Sequence, residues 1–362
     1  MIAEKMLYAE LCATAEVPIF MQNWWLDAVC TEGSSDFGFR VSDVGTDKTE
    51  IRNPKSEIKG WSVVMSFNEQ REIEAALTFA TRQKFGFRTL SEPVLTPFCG
   101  VWFRQKTFKR QHEAIFYEKK HLQKLIEQLP SAHRYSFRLH VSLKDWQPFF
   151  WAGWQQETRY TYRLNIENLV TVFDNFNDNT KRNIRKSTQN FTIEKGDNFD
   201  KFLEINGLTY QRQQIKNPIP AQTWQAVEQI LSEKKARTIF FAKNTEGAAE
   251  VGFEMLEKGG QHTENRKPKT EIINAAIYVV FDKSTAYYLA GGSTKLGRSK
   301  GAMHGLLWQA IQEAAARGCT IFDFEGSMLQ GVEPFFRGFG GDLMSYFRVF
   351  KYGNRFLKHL FQ

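Results

Sequence analysis

Apolar and polar positions alternate through the first stretch of the chain that carries a clear signal. Residues 61–67 (WSVVMSF) and 74–81 (EAALTFAT) are β-rich runs bounded by polar residues, which predicts a hairpin. The next segment, LSEPVLTPFCGVWF, reads as extended chain punctuated by proline. Between residues 109 and 129 the period changes: Ile115, Leu122, Leu125, Ile126 and Leu129 recur at helical spacing among charged residues, which predicts a long helix. Residues 135–141 (YSFRLHV) return to alternation and predict a strand. Strand pair, helix and strand together describe a mixed sheet.

A dense aromatic cluster, DWQPFFWAGWQQETRY, marks a seam between two domains, residues 1–155 and 156–362. Beyond it the pattern repeats with more elements. Residues 160–166 predict a strand and 170–187 a helix with an interruption near 177–180. A short strand at 191–194 precedes two helices, 199–214 and 221–235. Four consecutive strand-like segments follow, at 238–242, 250–256, 272–281 and 286–289, with the polar insertion GGQHTENRKPK at a hairpin tip. Then the order becomes glycine loop (291–301), helix (302–317, closed by Gly318) and apolar strand (320–324).

Composition narrows the class. With 362 residues, 42% hydrophobic and 24% charged, the chain is a globular protein large enough for two packed cores, and disorder is excluded. The net charge of +8 sits mainly in the second domain, where 28 basic residues meet 22 acidic ones. That admits an anionic ligand without demanding nucleic acid, and DNA is not expected. Cys12, Cys30, Cys99 and Cys319 lie far apart and the histidines form no ligand-like pair, so neither a disulfide framework nor a metal site is expected. Glu4, Glu10 and Glu16 break every apolar run near the start, and no stretch approaches transmembrane length. The expectation is a cytoplasmic protein with reduced thiols.

The chemistry concentrates in GGSTKLGRSKGA. A glycine loop between strand and helix offers the backbone amides around Gly292, Gly297, Gly301 and Ala302 to an anion, with Arg298 and Lys300 adding positive charge: a pyrophosphate cradle. A plain flexible connector is the alternative. GSTKLGRS also imitates a Walker A loop with Arg298 in the lysine position, but the preceding strands are joined by hairpins and a P-loop needs a parallel sheet. If the strand at 320–324 alternates, Asp323 and Glu325 share one face and Phe322 and Phe324 the other. Glu325, leaving the strand beside Gly326 and Ser327, is the first candidate for a base or acceptor-orienting group, Asp323 the second, and Tyr346 a proton donor. Structural roles compete for each: capping the next loop, pairing with Arg337, or, for Tyr346, a core position on a final hairpin.

Antiparallel strands running into a glycine loop and helix resemble the GNAT acetyltransferase superfamily, whose loop reads Arg/Gln-x-x-Gly-x-Gly/Ala. Here Arg298-Ser-Lys-Gly301-Ala302-Met303 supplies the arginine and first glycine, with Met303 at the last small position. The stretch WQAIQEAAARGCTIFDFEGSMLQGVEPFFRGFGGDLMSYFRV further resembles the Fem-type (FemA/FemB/FemX-like) aminoacyltransferases. The likeness lies in Ala314 and Gly318 ending the helix, Asp323-Phe-x-Gly326, and an aromatic-basic-Phe-Gly segment. The chain departs from that pattern in carrying Arg337 one place later than the usual lysine and in lacking a long charged helical hairpin between 199 and 235. The resemblance implies an α/β protein of mixed sheets with two tandem GNAT-like domains, the first shaping an acceptor cleft and the second holding the donor. It implies acyl transfer to an amine of a cell-envelope precursor, sugar or peptide, from acyl-CoA or, alternatively, aminoacyl-tRNA. The absence of a dedicated basic arm favours the small anionic donor. Acceptor contacts are expected at Gly326, Ser327, Phe336 and Arg337, and at Arg182 and Arg185, which lie on one helical face where two guanidinium forks can hold a phosphate; the alternative there is a solvated face. The acceptor is small or lipid-linked, with peripheral membrane contact left open. The competing class is a non-catalytic GNAT-fold protein that binds a glycan or nucleotide-sugar.

Overall fold

A computed structural model describes residues 2–30, 35–36, 56–245, 271–326 and 328–353. The strand expected at 250–256, the polar insertion and Ser327 lie outside them. The first half runs α1 (Ile2–Thr14), a 3-10 turn (Ile19–Met21), α2 (Asn23–Val29), β1 (Ser35–Asp36), β2 (Ser56–Phe67), β3 (Ile73–Lys84), β4 (Phe87–Ser91), β5 (Val101–Phe103), α3 (Gln111–Glu127), β6 (Arg134–Arg138) and α4 (Gln147–Trp151). The second runs β7 (Gln155–Asn165), α5 (Leu169–Asp174), α6 (Asp178–Asn190), β8 (Thr192–Gly196), α7 (Phe199–Arg212), α8 (Ala221–Glu233), β9 (Arg237–Thr245), β10 (Glu271–Phe281), β11 (Thr285–Ser293), α9 (Lys295–Ser299), α10 (Ala302–Ala316), β12 (Ile321–Asp323), α11 (Glu333–Arg337) and β13 (Asp342–Tyr352).

The described strands join one mixed sheet in the order β1-β2-β3-β4-β6-β13-β7-β12-β11-β10-β9-β8, with β5 added to β3. Each half repeats one plan: antiparallel strands, then a helical crossover, then a strand parallel to an earlier neighbour. In the first half β5 and α3 lie between β4 and its parallel neighbour β6; in the second α9 and α10 lie between β11 and its parallel neighbour β12. Parallel neighbours need such a crossover, which is why the helical period appears where it does in the sequence. The last strand departs from the expected final hairpin. β13 inserts between β6 and β7, antiparallel to both, and makes one sheet of the two halves.

Alternation along the strands explains the layers. On β10, Ala275, Ile277 and Val279 face one core with α10 while Ala276, Tyr278 and Val280 face another. On β3, Leu77 and Phe79 pack over α3 while Ala76 and Ala80 face the opposite side. The two halves therefore have separate cores on one face and share a third on the other. In that third core Phe20, Trp25, Trp61 and Phe98 meet Phe202, Trp224, Tyr278 and Tyr287, all buried. The helix expected over 170–187 breaks where asparagine side chains can cap: Asn168 Oδ1 accepts from the amides of Val170 and Thr171, and Asn177 Oδ1 from Thr180.

Candidate active site

Beyond Asp323 the chain leaves β12 through two residues in the left-handed region, Glu325 at φ 65° and Gly326 at φ 114°. For a glutamate that conformation is strained by about 1–3 kcal/mol and persists only where the surroundings enforce it. The enforcing groups are buried beneath the turn. Asp323 Oδ1 accepts the Glu325 amide at 2.9 Å and the Thr161 hydroxyl at 2.7 Å, and Thr161 Oγ1 in turn accepts the Gly326 amide at 3.1 Å. Arg163 Nε lies 3.2 Å from the other carboxylate oxygen as an ion pair too bent for a hydrogen bond. Burial pushes the Asp323 carboxyl up, against the pull of Arg163, Thr161 and the Glu325 amide. Asp323 thus holds the turn that presents Glu325.

The presented side chain faces a pocket at the seam. Thr161, Asp323, Glu325 and Tyr346 form its polar wall, and Pro97, Phe98, Leu139, His140 and Val141 close it from the first half, around roughly 310 Å³ including its open mouth. Backbone pairing sets this juxtaposition: Leu139 donates its N–H to Phe347 at 2.8 Å, which brings His140 alongside Tyr346 on β13. The structure therefore brings Asp323, Glu325 and Tyr346 together. His140, Phe98 and Thr161 were not singled out from the sequence; the alternation of YSFRLHV marks a strand but not what its end will meet.

The glycine loop expected over 291–301 is mostly regular structure, and its glycines serve packing. A Cβ on Gly292, inside β11, would overlap the Ile205 carbonyl of α7; on Gly297 it would overlap Asn274 of β10; on Gly301, at φ 76°, it would stand 2.5 Å from the Asn183 oxygen of α6. The loop amides are largely consumed. Thr294 N–H bonds Asn274 O at 2.8 Å, Gly297 N–H bonds Thr294 Oγ1 at 3.0 Å, and Arg298, Lys300 and Gly301 bond within the segment. This corrects the expectation of an open cradle around Gly292 and Gly297: close backbone approach, not ligand access, is what excludes side chains there. What remains is the uncapped start of α10 at Ala302 and Met303, beside exposed Arg298, whose Nη1 donates to Ser293 O at 2.7 Å, and half-buried Lys300. Arg182 and Arg185 are exposed on α6, which packs against this start, and Arg182 bonds Asn179 Oδ1 at 2.7 Å. Between this end and the Glu325 turn, β12 pairs with β11 only as far as Tyr287, so among the described residues the rest of β11 has no partner strand on that side.

Two residues expected to touch the acceptor have partners within the chain. Phe336 is buried against Phe324 at a ring separation of 5.2 Å, and Arg337 pairs with Glu333 at 3.1 Å and not with Asp323 or Glu325. His304, half-buried against Phe335 and Phe339, is pulled by its partial burial down to about 4 and serves packing. No group of three or more side chains suited to a metal ion occurs among the described residues.

A mixed sheet built twice from antiparallel strands, crossover helix and parallel strand is a Fem-like GNAT fold. It is similar to the crystal structure of FemX, with a TM-score of 0.59 and 13% identity over 96% of this chain and 95% of that one. It also matches L-PGS from Bacillus licheniformis, at TM-score 0.41 and 12% identity over 83% of this chain and 86% of the other. A tandem GNAT protein from the clavulanic acid biosynthesis pathway matches at TM-score 0.39 and 9% identity, over 81% and 84%. No protein-family model and no curated protein matches the sequence.

Proposed function

We propose that the chain is an acyl- or aminoacyltransferase that receives an amine acceptor in the seam pocket and an anionic acyl carrier at the start of α10. The observation that carries this reading is the convergence of Glu325, forced into a left-handed turn, with Tyr346 and a wall from the other half of the chain. Strain of this kind has to be maintained by its surroundings, here by Asp323 and Thr161, which is what a positioned catalytic group requires. In this reading Glu325 takes the proton from the attacking amine as the C–N bond forms. Tyr346 supplies a proton to the leaving group. Asp323 holds the turn.

The carrier is acyl-CoA, with aminoacyl-tRNA as the alternative. Arg298 and Lys300, the Gly301–Ala302 junction and the exposed arginines Arg182 and Arg185 supply the positive end, and the unpaired run of β11 offers backbone groups to an extended chain. Gly326 borders the acceptor, an amine on a cell-envelope precursor, sugar or peptide. Acetyl-CoA at a hundred times its Kd should stabilise the protein by about 2.7 kcal/mol in a thermal-shift titration. The Arg298→Glu variant should lose that shift while keeping the melting temperature of the free protein. Stabilisation by aminoacyl-tRNA alone would select the other donor. Indifference to both would leave a protein that binds without transferring.

A further inference from the structure

Two neighbouring helices of the first half turn large apolar side chains outward. On α3, Phe116 is 68% and Ile115 43% exposed; on α4, Phe150 is 60% and Trp151 55% exposed. The inward faces of the same helices are packed, with Leu122, Leu125 and Phe149 buried in the core of that half. One residue ties the outward sets into a single surface. Lys119 of α3 reaches across to α4, its Nζ lying 3.0 Å from Asp145 Oδ2, 2.5 Å from Gln147 Oε1 and 5.1 Å from the centroid of the Trp151 ring. Phe116 and Ile115 stand three and four residues before Lys119, on the same side of the helix. A single exposed aromatic needs no explanation, whereas four large apolar side chains gathered round one lysine mark a contact surface. The charge around them is one-sided. Lys109 and Arg110, just before α3, and Lys120 and Lys124 on it are exposed, with no carboxylate partner among the described residues. Of the carboxylates on α3, Glu113 and Glu118 are half-buried and only Glu127, its last residue, is exposed.

We infer that the α3–α4 surface docks the protein on a membrane leaflet carrying anionic lipid headgroups, with Phe116, Phe150 and Trp151 entering the interface and Lys120 and Lys124 meeting the phosphates. Aromatic rings settle at the boundary between headgroups and acyl chains. Lysines beside them lay their stems along the apolar surface and keep the ammonium among the phosphates. The cations decide between occupants. A second copy of this chain, seated here by a two-fold contact, would set the same lysines against each other, whereas anionic headgroups neutralise them. None of these side chains lines the seam pocket, so the surface stands whether or not the transferase reading does.

Vesicle cosedimentation of the full chain tests this. The protein should partition onto vesicles of phosphatidylglycerol and phosphatidylcholine mixed equally at about 0.1 M salt, and progressively leave them as salt is raised. Lys120→Gln and Lys124→Gln should each weaken that partitioning about fivefold, the loss of one cation near an anionic surface. The double variant Phe116→Ser with Trp151→Ser should weaken it by about tenfold or more while keeping the melting temperature, because both side chains are already exposed. No binding to the mixed vesicles, or undiminished binding in the folded double variant, overturns the proposal. So does equal binding to phosphatidylcholine alone that neither salt nor the lysine variants change, since the headgroup charge would then play no part. A wild-type protein that ignores vesicles but sediments as a dimer, and as a monomer in the double variant, assigns the face to a second copy of the chain and overturns the lipid assignment.

Discussion

Replacing Glu325 with glutamine is expected to lower kcat by about 10²–10⁴-fold at an unchanged melting temperature, the range for removing a positioned general base. Glutamine keeps the length and shape of the side chain and the same backbone strain, so only the proton acceptor is lost. Glu325→Gly separates the two features. Glycine adopts φ 65° without penalty, so this variant should melt higher than wild type, by roughly 1 kcal/mol or more of relieved strain, and be equally inactive. A residue that costs stability and supplies activity is what a catalytic assignment demands; a variant stabilised with activity intact would sink it. Asp323→Asn should behave differently, because an amide oxygen still accepts from Thr161 and the Glu325 amide. The Asp323 carboxyl is raised by burial, so whatever it contributes to stability is present below its unfolded pKa and lost as pH rises through the folded one. The Asp323→Asn variant escapes that loss. Denaturant melts at pH 4 and pH 7 should show its stability improving relative to wild type as the pH rises.

How much of this was legible beforehand depended on whether a feature is local or made by contact. Alternation placed Phe322 and Phe324 on one face and Asp323 and Glu325 on the other, because a strand's period is fixed by its backbone, and the structure buries the two phenylalanines in one core and lines the pocket with the two carboxylates. The long helix expected over 109–129 is α3, and the breaks between helices fall where Asn168 and Asn177 can cap. Long-range pairing left no such trace. Nothing in FRVFKY says that it will slide between strands nearly two hundred residues upstream, yet that insertion joins the halves and sets His140 beside Tyr346. The left-handed turn at Glu325 was equally silent, since a glutamate there depends on Asp323 and Thr161 rather than on its own preference. The glycine loop misled for a related reason: glycine marks close backbone approach, and the sequence does not say whether a ligand or another strand approaches.

That ambiguity is decided by stability. Gly292→Val is expected to destabilise the protein by about 3 kcal/mol, at the upper end for an overpacked site, because the new side chain meets the Ile205 carbonyl of α7 rather than a soft side chain. Backbone cannot move aside without lifting α7, and α7 carries Phe202 and Ile205 into the core shared by the two halves. The comparison lies on the same helix. Gly207 is on α7 with open space around its Cα, so Gly207→Ala should stabilise by about 0.5–1 kcal/mol through helix propensity alone. Opposite signs from two glycines on facing elements, read by the same chemical melt, are the signature of a packing contact at Gly292. Were Gly292 instead kept small to admit a carrier's phosphates, Gly292→Val would leave the melt of the free protein where it was and only donor affinity would fall. The carrier's phosphates would then sit at Gly292 on β11, and the proposal that they rest at Ala302, where α6 meets α10, would have to be given up.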